Sequence, residues 1–377
     1  MLLRKDTVVK MEEPKKKLKI LHGMSDVAGQ GSYSARGLRS IGADAVMAVW
    51  RRNPFGYSVD IDLHVKEEKI KNPIHAIVYS FRIFCFALKA MFKYDIFHFH
   101  FGRSLLPFGL DLFWLRLFNK RIIMEFHGDD IRYFYNRERP QYYPYEKLVT
   151  RKKWGIKRNN DILRYADTVI THDEELRKHI PHKNLYITPL RIDIDKLSLS
   201  YPDSKTERIV IVHAPSDFIG KGSKYVVASI EELKIKYNID FILVEKKTQE
   251  EAFELYKMAD IIVDQLFAQT YGVFAVEAML MGKPVVGWIS DEIKKTFPRE
   301  MPIVSATIDT LTEVLEELIL DGERRRNLGI AGRKYVEKYH DYRKVAQVQM
   351  DIYQNAICPM STLESFEYAG NKVVGII

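Results

Sequence analysis

Cysteine is nearly absent from this chain: Cys85 and Cys358 are the only two among 377 residues. They lie far apart and match no metal-ligand spacing. That excludes a disulfide-stapled scaffold and a thiolate metal centre, and it suits reduced thiols in a reducing compartment. Long uncharged apolar runs are missing as well. Arg82 and Lys89 interrupt the longest candidate, 73–92, and Asp111 and Arg116 interrupt the next, 105–118, so no membrane-spanning helix is expected. The stretch 1–17 is charged, ends in Lys15, Lys16 and Lys17, and holds no apolar segment of the signal-peptide kind. It reads as a basic leader, and a cytoplasmic protein is expected. Repeats and low-complexity tracts are lacking too.

What is there is enough chain for two domains of ordinary size. A net charge of +8 favours polyanionic partners without choosing among nucleic acid, anionic membrane and phosphorylated ligands. Residues 18–23 read as a strand, and 25–32 as a small-residue loop holding Gly29 and Gly31. A helix through Arg39 and a strand over 42–49 follow. Next come an amphipathic helix over 74–93, a strand over 95–100, a helix over 105–118 and a strand over 121–126. That strand ends at His127-Gly128-Asp129-Asp130. A strand over 167–171, a helix over 174–178, a strand over 184–188 and a hinge-like segment 189–196 complete the first half. After the polar stretch 198–207 the pattern restarts, with strands at 208–212, 240–244 and 261–263 and helices at 224–237 and 250–258. Strand–helix alternation twice over predicts an α/β protein of two doubly wound Rossmann-like domains, 18–192 and 193–341. A helix from about 342 to 356 and a tail to 377 follow.

The most informative segment runs from Gln269 to Val286, Gln-Thr-Tyr-Gly-Val-Phe-Ala-Val-Glu-Ala-Met-Leu-Met-Gly-Lys-Pro-Val-Val. A polar loop opens a helix at Gly272 and Val273, and Pro284 leads into a buried strand. A helix N-terminus presents free backbone N–H groups and the positive end of the helix dipole, so it attracts phosphate. Glu277 stands about one and a half turns inside. An ordinary loop–helix–strand unit accounts for Gly282 as a C-cap and Pro284 as a stop signal. It does not account for one carboxylate inside an apolar run, which needs a partner.

This segment resembles the C-terminal signature of the family 4 glycosyltransferases, retaining enzymes of GT-B fold that use nucleotide sugars. The family pattern is Glu, seven residues, Glu, then Ala-Met-Ala-x-Gly-x-Pro-Val. Glu277 matches the second Glu, which in the family contacts the nucleotide ribose. The first, which contacts the donor sugar, falls on Gln269, a departure from the pattern. A Gln hydrogen-bonds hydroxyls but cannot offset positive charge on a sugar ring. The loop His213 to Gly222 follows a strand and precedes a helix, where doubly wound sheets bind ligands. There Lys221 is placed to meet a diphosphate. The resemblance supports this, although the family's preceding Arg is replaced by Pro215-Ser216-Asp217. Lys224 or a basic residue of the first domain is the expected substitute. His127-Gly128-Asp129-Asp130 resembles a family segment whose His lies close to the reacting sugar. Read alone, it fits equally a buried His with Asp130 capping a helix. Gly29 and Gly31 resemble the glycine-rich loop that approaches donor phosphates or acceptor, and alone they are a weak signal.

The stretch Arg132 to Arg158 is basic and aromatic. That composition suits a solvated insertion, a membrane interface or single-stranded nucleic acid. Because it follows His127 directly, it belongs to the acceptor side, and nucleic acid is not expected as a partner. The resemblance thus implies two domains facing across a cleft, with a C-terminal helix crossing back to the first. It implies transfer of a sugar from a nucleoside-diphosphate sugar to a glycan or lipid-linked acceptor with retained configuration. No metal motif and no further cofactor are expected, and peripheral contact with an anionic membrane is. Two alternatives stay open: a sugar-nucleotide epimerase of the same fold, and a non-catalytic nucleotide-sugar-binding protein.

Overall fold

A computed structural model describes residues 17–53, 56–128, 130–131, 158–357, 367–368 and 371–372. The leader 1–16, Asp129 and most of the basic aromatic stretch 132–158 lie outside the described residues. The first sheet is built from β1 (Lys19–Gly23), β2 (Asp44–Val49), β3 (Ile61–Asp62), β4 (Ile96–His100), β5 (Arg121–Glu125), β6 (Thr168–Thr171) and β7 (Leu185–Ile187). Its order is β3-β2-β1-β4-β5-β6-β7, parallel throughout. The second contains β8 (Ile209–His213), β9 (Ile239–Leu243), β10 (Ile261–Val263), β11 (Val285–Gly287) and β12 (Val304–Ser305), in the order β12-β11-β10-β8-β9. Both are doubly wound, and the strand order reverses between β1 and β4 in one and between β8 and β10 in the other. Those reversals open a crevice at the carboxyl ends of the strands. Strands such as β4 are buried along their whole length, as expected when helices cover both faces.

Local chemistry shifts some expected boundaries. The helix expected over 105–118 is reduced to Leu112–Leu117 after a short 3-10 turn at Pro107–Gly109. The buried Asp111 carboxylate is the reason. It accepts from Ser104 Oγ at 2.6 Å and from the backbone N–H of Leu105 and Leu106, each at 3.0 Å, and so folds the chain into a turn. Gly31 and Ser32, expected in a loop, lie in the helix Gln30–Ser40. The Asp26 carboxylate accepts from Gly31 N at 3.0 Å and Ser32 Oγ at 2.6 Å, which satisfies that helix's N-terminus. The helices Leu311–Leu320 and Gly322–Tyr339 carry no motif and were unassigned from sequence.

The helix Tyr342–Ile357 crosses back to the first domain. Asp341 bridges Ile192, and Ala346, Met350 and Tyr353 join Ile20, Ala35 and Leu38 in one core. Contact with the Gln30–Ser40 helix is backbone-close at Gly37. A Cβ there would stand 2.6 Å from the Tyr342 carbonyl oxygen and 2.7 Å from Ala346 Cβ. Gly37→Val is therefore expected to push the two helices apart and to lower stability by about 1–3 kcal/mol. Urea unfolding with the parent's midpoint would contradict this packing.

Candidate active site

The cleft between the domains has a volume of about 960 Å³. Its second-domain wall brings together the elements expected from sequence. Lys221, Gly272, Val273 and Glu277 all line it, and Lys221 Nζ would stand 3.9 Å from a Cβ placed on Gly272. The ammonium therefore sits beside the N-terminus of the helix Val273–Leu280, and Gln265 Oε1 accepts from it. Gln265 in turn donates to the Thr270 carbonyl at 2.5 Å, so one amide ties the lysine loop to the loop before the helix. Asp264 Oδ2 accepts from Gly272 N at 3.2 Å. That leaves the following N–H groups as the cradle for a phosphate.

Glu277 is buried at the back of this wall. It accepts from Gln249 Nε2 at 3.3 Å and, across the cleft, from Tyr57 OH at 3.4 Å. Burial raises its carboxyl to about 7, against the opposing pull of Gln249, Lys196 and Tyr57. Lys196 Nζ donates to Gln249 Oε1 at 2.7 Å, completing a polar group that encloses the carboxyl. A carboxyl raised by burial and reached only by long hydrogen bonds is suited to accept from a diol that enters later.

The first-domain wall is different in kind. His127, half-buried, lies in the cleft with His172, and behind them runs a chain of imidazoles. His127 Nδ1 is 2.9 Å from His172 Nε2, and its Nε2 is 3.1 Å from His100 Nδ1. His100 Nε2 is 3.1 Å from His22 Nδ1. Tyr353 OH, from the crossing helix, is 3.4 Å from His22 Nε2 and 2.6 Å from His98 Nδ1. His98 Nε2 is 3.0 Å from Glu125 Oε2. Glu125 also pairs with the guanidinium of Arg191, and both are fully buried. Burial pushes the Glu125 carboxyl up, but Arg191 and the imidazoles overcome it and hold it well below the usual carboxylate range. Burial drives His22, His98, His100, His127 and His172 down, so all five are neutral at pH 7.

Each neutral imidazole carries one proton. Because ionised Glu125 can only accept, the proton of His98 is placed on Nε2 toward it, 3.0 Å from Oε2 but outside hydrogen-bond geometry, and Tyr353 OH then donates to His98 Nδ1. From there His22, His100 and His127 donate from Nε2 to Tyr353, His22 and His100 in turn, and the series stops at His172, whose Nδ1 faces the Thr188 carbonyl, an acceptor only, at 3.4 Å. The same groups include two triads with ligand atoms within 4.8 Å of one another, His22, His98 and His100, and His100, Glu125 and His127. The rings of His98 and His100 stack at 4.7 Å and 10°. Their in-plane lone pairs therefore run parallel instead of converging, which fits a hydrogen-bond chain better than a metal site.

Several residues singled out in the sequence stand outside the lining of the cleft. Gln269 does not line the cleft, whereas its neighbours Ala268 and Thr270 do. It occupies the left-handed region at φ 59°, a turn that presents the residues on either side. Thr270 Oγ1 donates to Asp173 Oδ2 at 2.8 Å and so joins the two domains. Gly29 and Gly31 are not cleft residues either. A Cβ on Gly29, at φ 75°, would stand 2.5 Å from the Tyr57 ring, and one on Gly31 would stand 2.6 Å from Met47 Sδ. Their smallness serves packing, and the Asp26 carboxylate already satisfies that helix terminus. Asp130 caps no helix among the described residues. It accepts from His127 N at 3.1 Å and Gly128 N at 2.7 Å, fixing the loop that carries His127. Lys224 lies over the Tyr225 ring and is not a cleft residue. The cleft's lysines besides Lys221 are Lys246 and Lys247, both from the second domain.

Tyr57, Gln249, Glu125, Arg191 and the other histidines were missed from sequence. Signals existed for some of them. Glu125 is a lone carboxylate in the apolar run Ile-Ile-Met-Glu-Phe, the same cue that singles out Glu277. His98 and His100 alternate with Phe97 and Phe99, which places both on one face of a strand.

Two doubly wound domains closed over such a cleft, with a crossing C-terminal helix, define the GT-B class. Residues 201–335 match the family described as glycosyl transferases group 1. Similar solved structures include sucrose-phosphate synthase from Thermosynechococcus elongatus, at 17% identity and TM-score 0.64, covering 92% of this chain and 100% of that one. A glycosyltransferase from Rickettsia africae matches at 15% identity and TM-score 0.59, covering 92% and 100%. Anabaena HepE, solved with UDP and glucose, matches at 13% identity and TM-score 0.59, covering 89% and 99%. At these identities the likeness is one of fold. No curated protein sequence matches the chain.

The buried imidazoles set a pH dependence. Burial lowers His172, His213 and His340 to about 4, against about 6.5 when unfolded. Between these values the unfolded chain binds more protons, so stability falls as pH falls from 6.5 toward 4. Glu277, raised to about 7, works the opposite way in part of this window but is one group against three. Urea unfolding at pH 7 and pH 5 is expected to show a loss of about 2 kcal/mol per buried histidine at the lower pH. Equal stability at the two values would contradict neutral, buried rings.

Proposed function

We propose that this chain transfers a sugar from a nucleoside-diphosphate sugar to a glycan or lipid-linked acceptor, with retention at the anomeric carbon. The second domain holds the donor and the first holds the acceptor. The observation that carries the reading is the convergence of Lys221, the helix terminus at Gly272 and Val273, and Glu277 on one wall of one cleft. Five residues of helix separate Gly272 from Glu277, a rise of roughly 7 Å, which suits a diphosphate at the terminus and its ribose diol at the carboxyl. Anabaena HepE, of the same fold, was solved with UDP and glucose, which supports a donor of this class.

In the transfer the bond between the anomeric carbon and the diphosphate oxygen breaks, and the acceptor hydroxyl attacks. Lys221 and the helix N–H groups stabilise the charge that grows on the leaving diphosphate. The resemblance implies same-face attack, with the acceptor's proton passing to the leaving phosphate. Neutral His127 has both nitrogens engaged, so it shapes the sugar pocket by its position and carries no charge there.

Turnover with a panel of nucleotide sugars tests this reading, with product configuration read by NMR. An inverted product removes retention, and no transfer from any donor removes the activity. Lys221→Ala is expected to weaken UDP or GDP binding roughly ten- to a hundredfold, as loss of a contact worth about 1.5–3 kcal/mol. Calorimetry showing parent affinity for every diphosphate that binds would place Lys221 outside the site.

Glu277 gives a separate signature. A ribose diol donates to the ionised carboxylate, so nucleotide affinity should rise with pH up to about 7, where the group ionises. Glu277→Gln should flatten that part of the profile relative to the parent. Identical profiles would show that Glu277 is not the ribose ligand.

A further inference from the structure

The helix Pro73–Lys93 lies on the first sheet through Tyr79, Ile83, Ala87, Ala90 and Met91. It is long and apolar enough to cross a bilayer, about 31 Å by its residue count, yet one stripe is committed to the domain core with Phe97 and Phe99. Its outer stripe is not polar, as the outer face of a surface helix ordinarily is. Ile74, Ile77, Phe81, Phe84 and Phe92 are all exposed there, Phe81 by 69% and Phe92 by 75%. The short helix Leu112–Leu117 packs into the same core through Leu112 and Leu115 and extends the patch. The rings of Phe92 and Phe118 are 5.9 Å apart, and Phe108, Leu110, Phe113 and Trp114 are exposed, Phe108 by 83%.

The exposed charges carried by the two helices have one sign, and the nearest exposed acids, Glu67 and Glu68, lie on the short helix before them, Glu67 paired with Arg51. Lys71, Arg82, Lys89, Lys93 and Arg116 are exposed. The carboxylates of 69–120 are Asp95 and Asp111, and neither is an exposed residue. Asp95 accepts from Lys19 N, and Asp111 is buried. A protein-binding face would be depleted in lysine. Exposed aromatics among lysine and arginine, with no exposed acid on either helix of the face, match the interface of a bilayer that carries anionic lipid.

We propose that this two-helix face docks on a membrane surface containing anionic phospholipid, with the aromatic stripe at headgroup depth. The helix lies in the plane and does not span, because its inner stripe stays on the sheet. Docking is independent of the transfer reading: it needs no nucleotide sugar, so either can fail without the other.

Co-sedimentation of the full chain with phosphatidylcholine vesicles, pure or with about a third phosphatidylglycerol, tests this. Binding is expected to the anionic vesicles, weaker in about 0.5 M salt than in about 0.1 M. Phe81→Ser/Phe92→Ser/Phe108→Ser should lower the partition coefficient roughly tenfold or more with circular dichroism unchanged. Should that variant fail to fold, lipid brominated near the headgroup should quench the parent's fluorescence, and Trp114→Phe should lose most of that quenching. Equal binding to pure and anionic vesicles overturns the charge requirement. Absence of binding to either overturns the proposal. So does a dimer by light scattering that the triple variant dissolves without vesicle binding, since the face would then join two copies of this chain.

Discussion

The carboxylate of Glu125 and the guanidinium of Arg191 meet in full burial at the carboxyl end of β5, and the site is organised around that contact. Arg191 belongs to the connector between the domains. Its backbone is clasped at both ends by one amide, with Gln30 Oε1 accepting from its N–H at 2.8 Å and Gln30 Nε2 donating to its carbonyl at 3.0 Å. Glu125 starts the imidazole chain that ends at His127 and His172 in the cleft. A buried ion pair is a weak source of net stability, because desolvating two charges cancels much of their attraction. Its value here lies in direction. A carboxylate that can only accept biases the proton positions from His98 as far as His127, the Thr188 carbonyl fixes that of His172, and the crossing helix takes part through Tyr353.

The two walls of the cleft are built from different groups. The first-domain wall carries neutral imidazoles, kept uncharged by burial, beside the Asp173 carboxylate. The second-domain wall has Lys221, Lys246, Lys247 and a helix terminus together with Asp217, Glu245, Asp264 and Glu277. The domains also touch directly through Tyr57 and Glu277 and through Thr270 and Asp173.

Much was legible from local pattern. Strand–helix alternation fixes two parallel sheets because sheets covered on both faces demand apolar strands, and crossovers demand helices between them. Lys221, Gly272, Val273 and Glu277 were legible because a helix terminus and a lone carboxylate are local features. Gln269 was not. Its place in a motif says nothing of a left-handed φ that presents its neighbours to the cleft. Gly29 and Gly31 look like a phosphate loop in one dimension and serve the Tyr57 and Met47 contacts in three. The stop of the helix expected over 105–118 depends on Asp111 folding back onto Ser104, Leu105 and Leu106, a turn whose hydrogen bonds no hydrophobic period reports.

By itself, the sequence determined the class of sheet, the number of domains and the part of the second-domain cleft wall that one short segment supplies, since periodicity and helix termini act over a few residues. Tertiary structure alone decided what joins residues far apart in the chain. Tyr57 reaches Glu277 across 220 positions, and Tyr353 reaches His22 across 331. Burial then selects the charge states, raising Glu277 and lowering the histidines. The cost of removing a charge from water depends on every atom packed around it, and that surrounding exists only once the chain has folded.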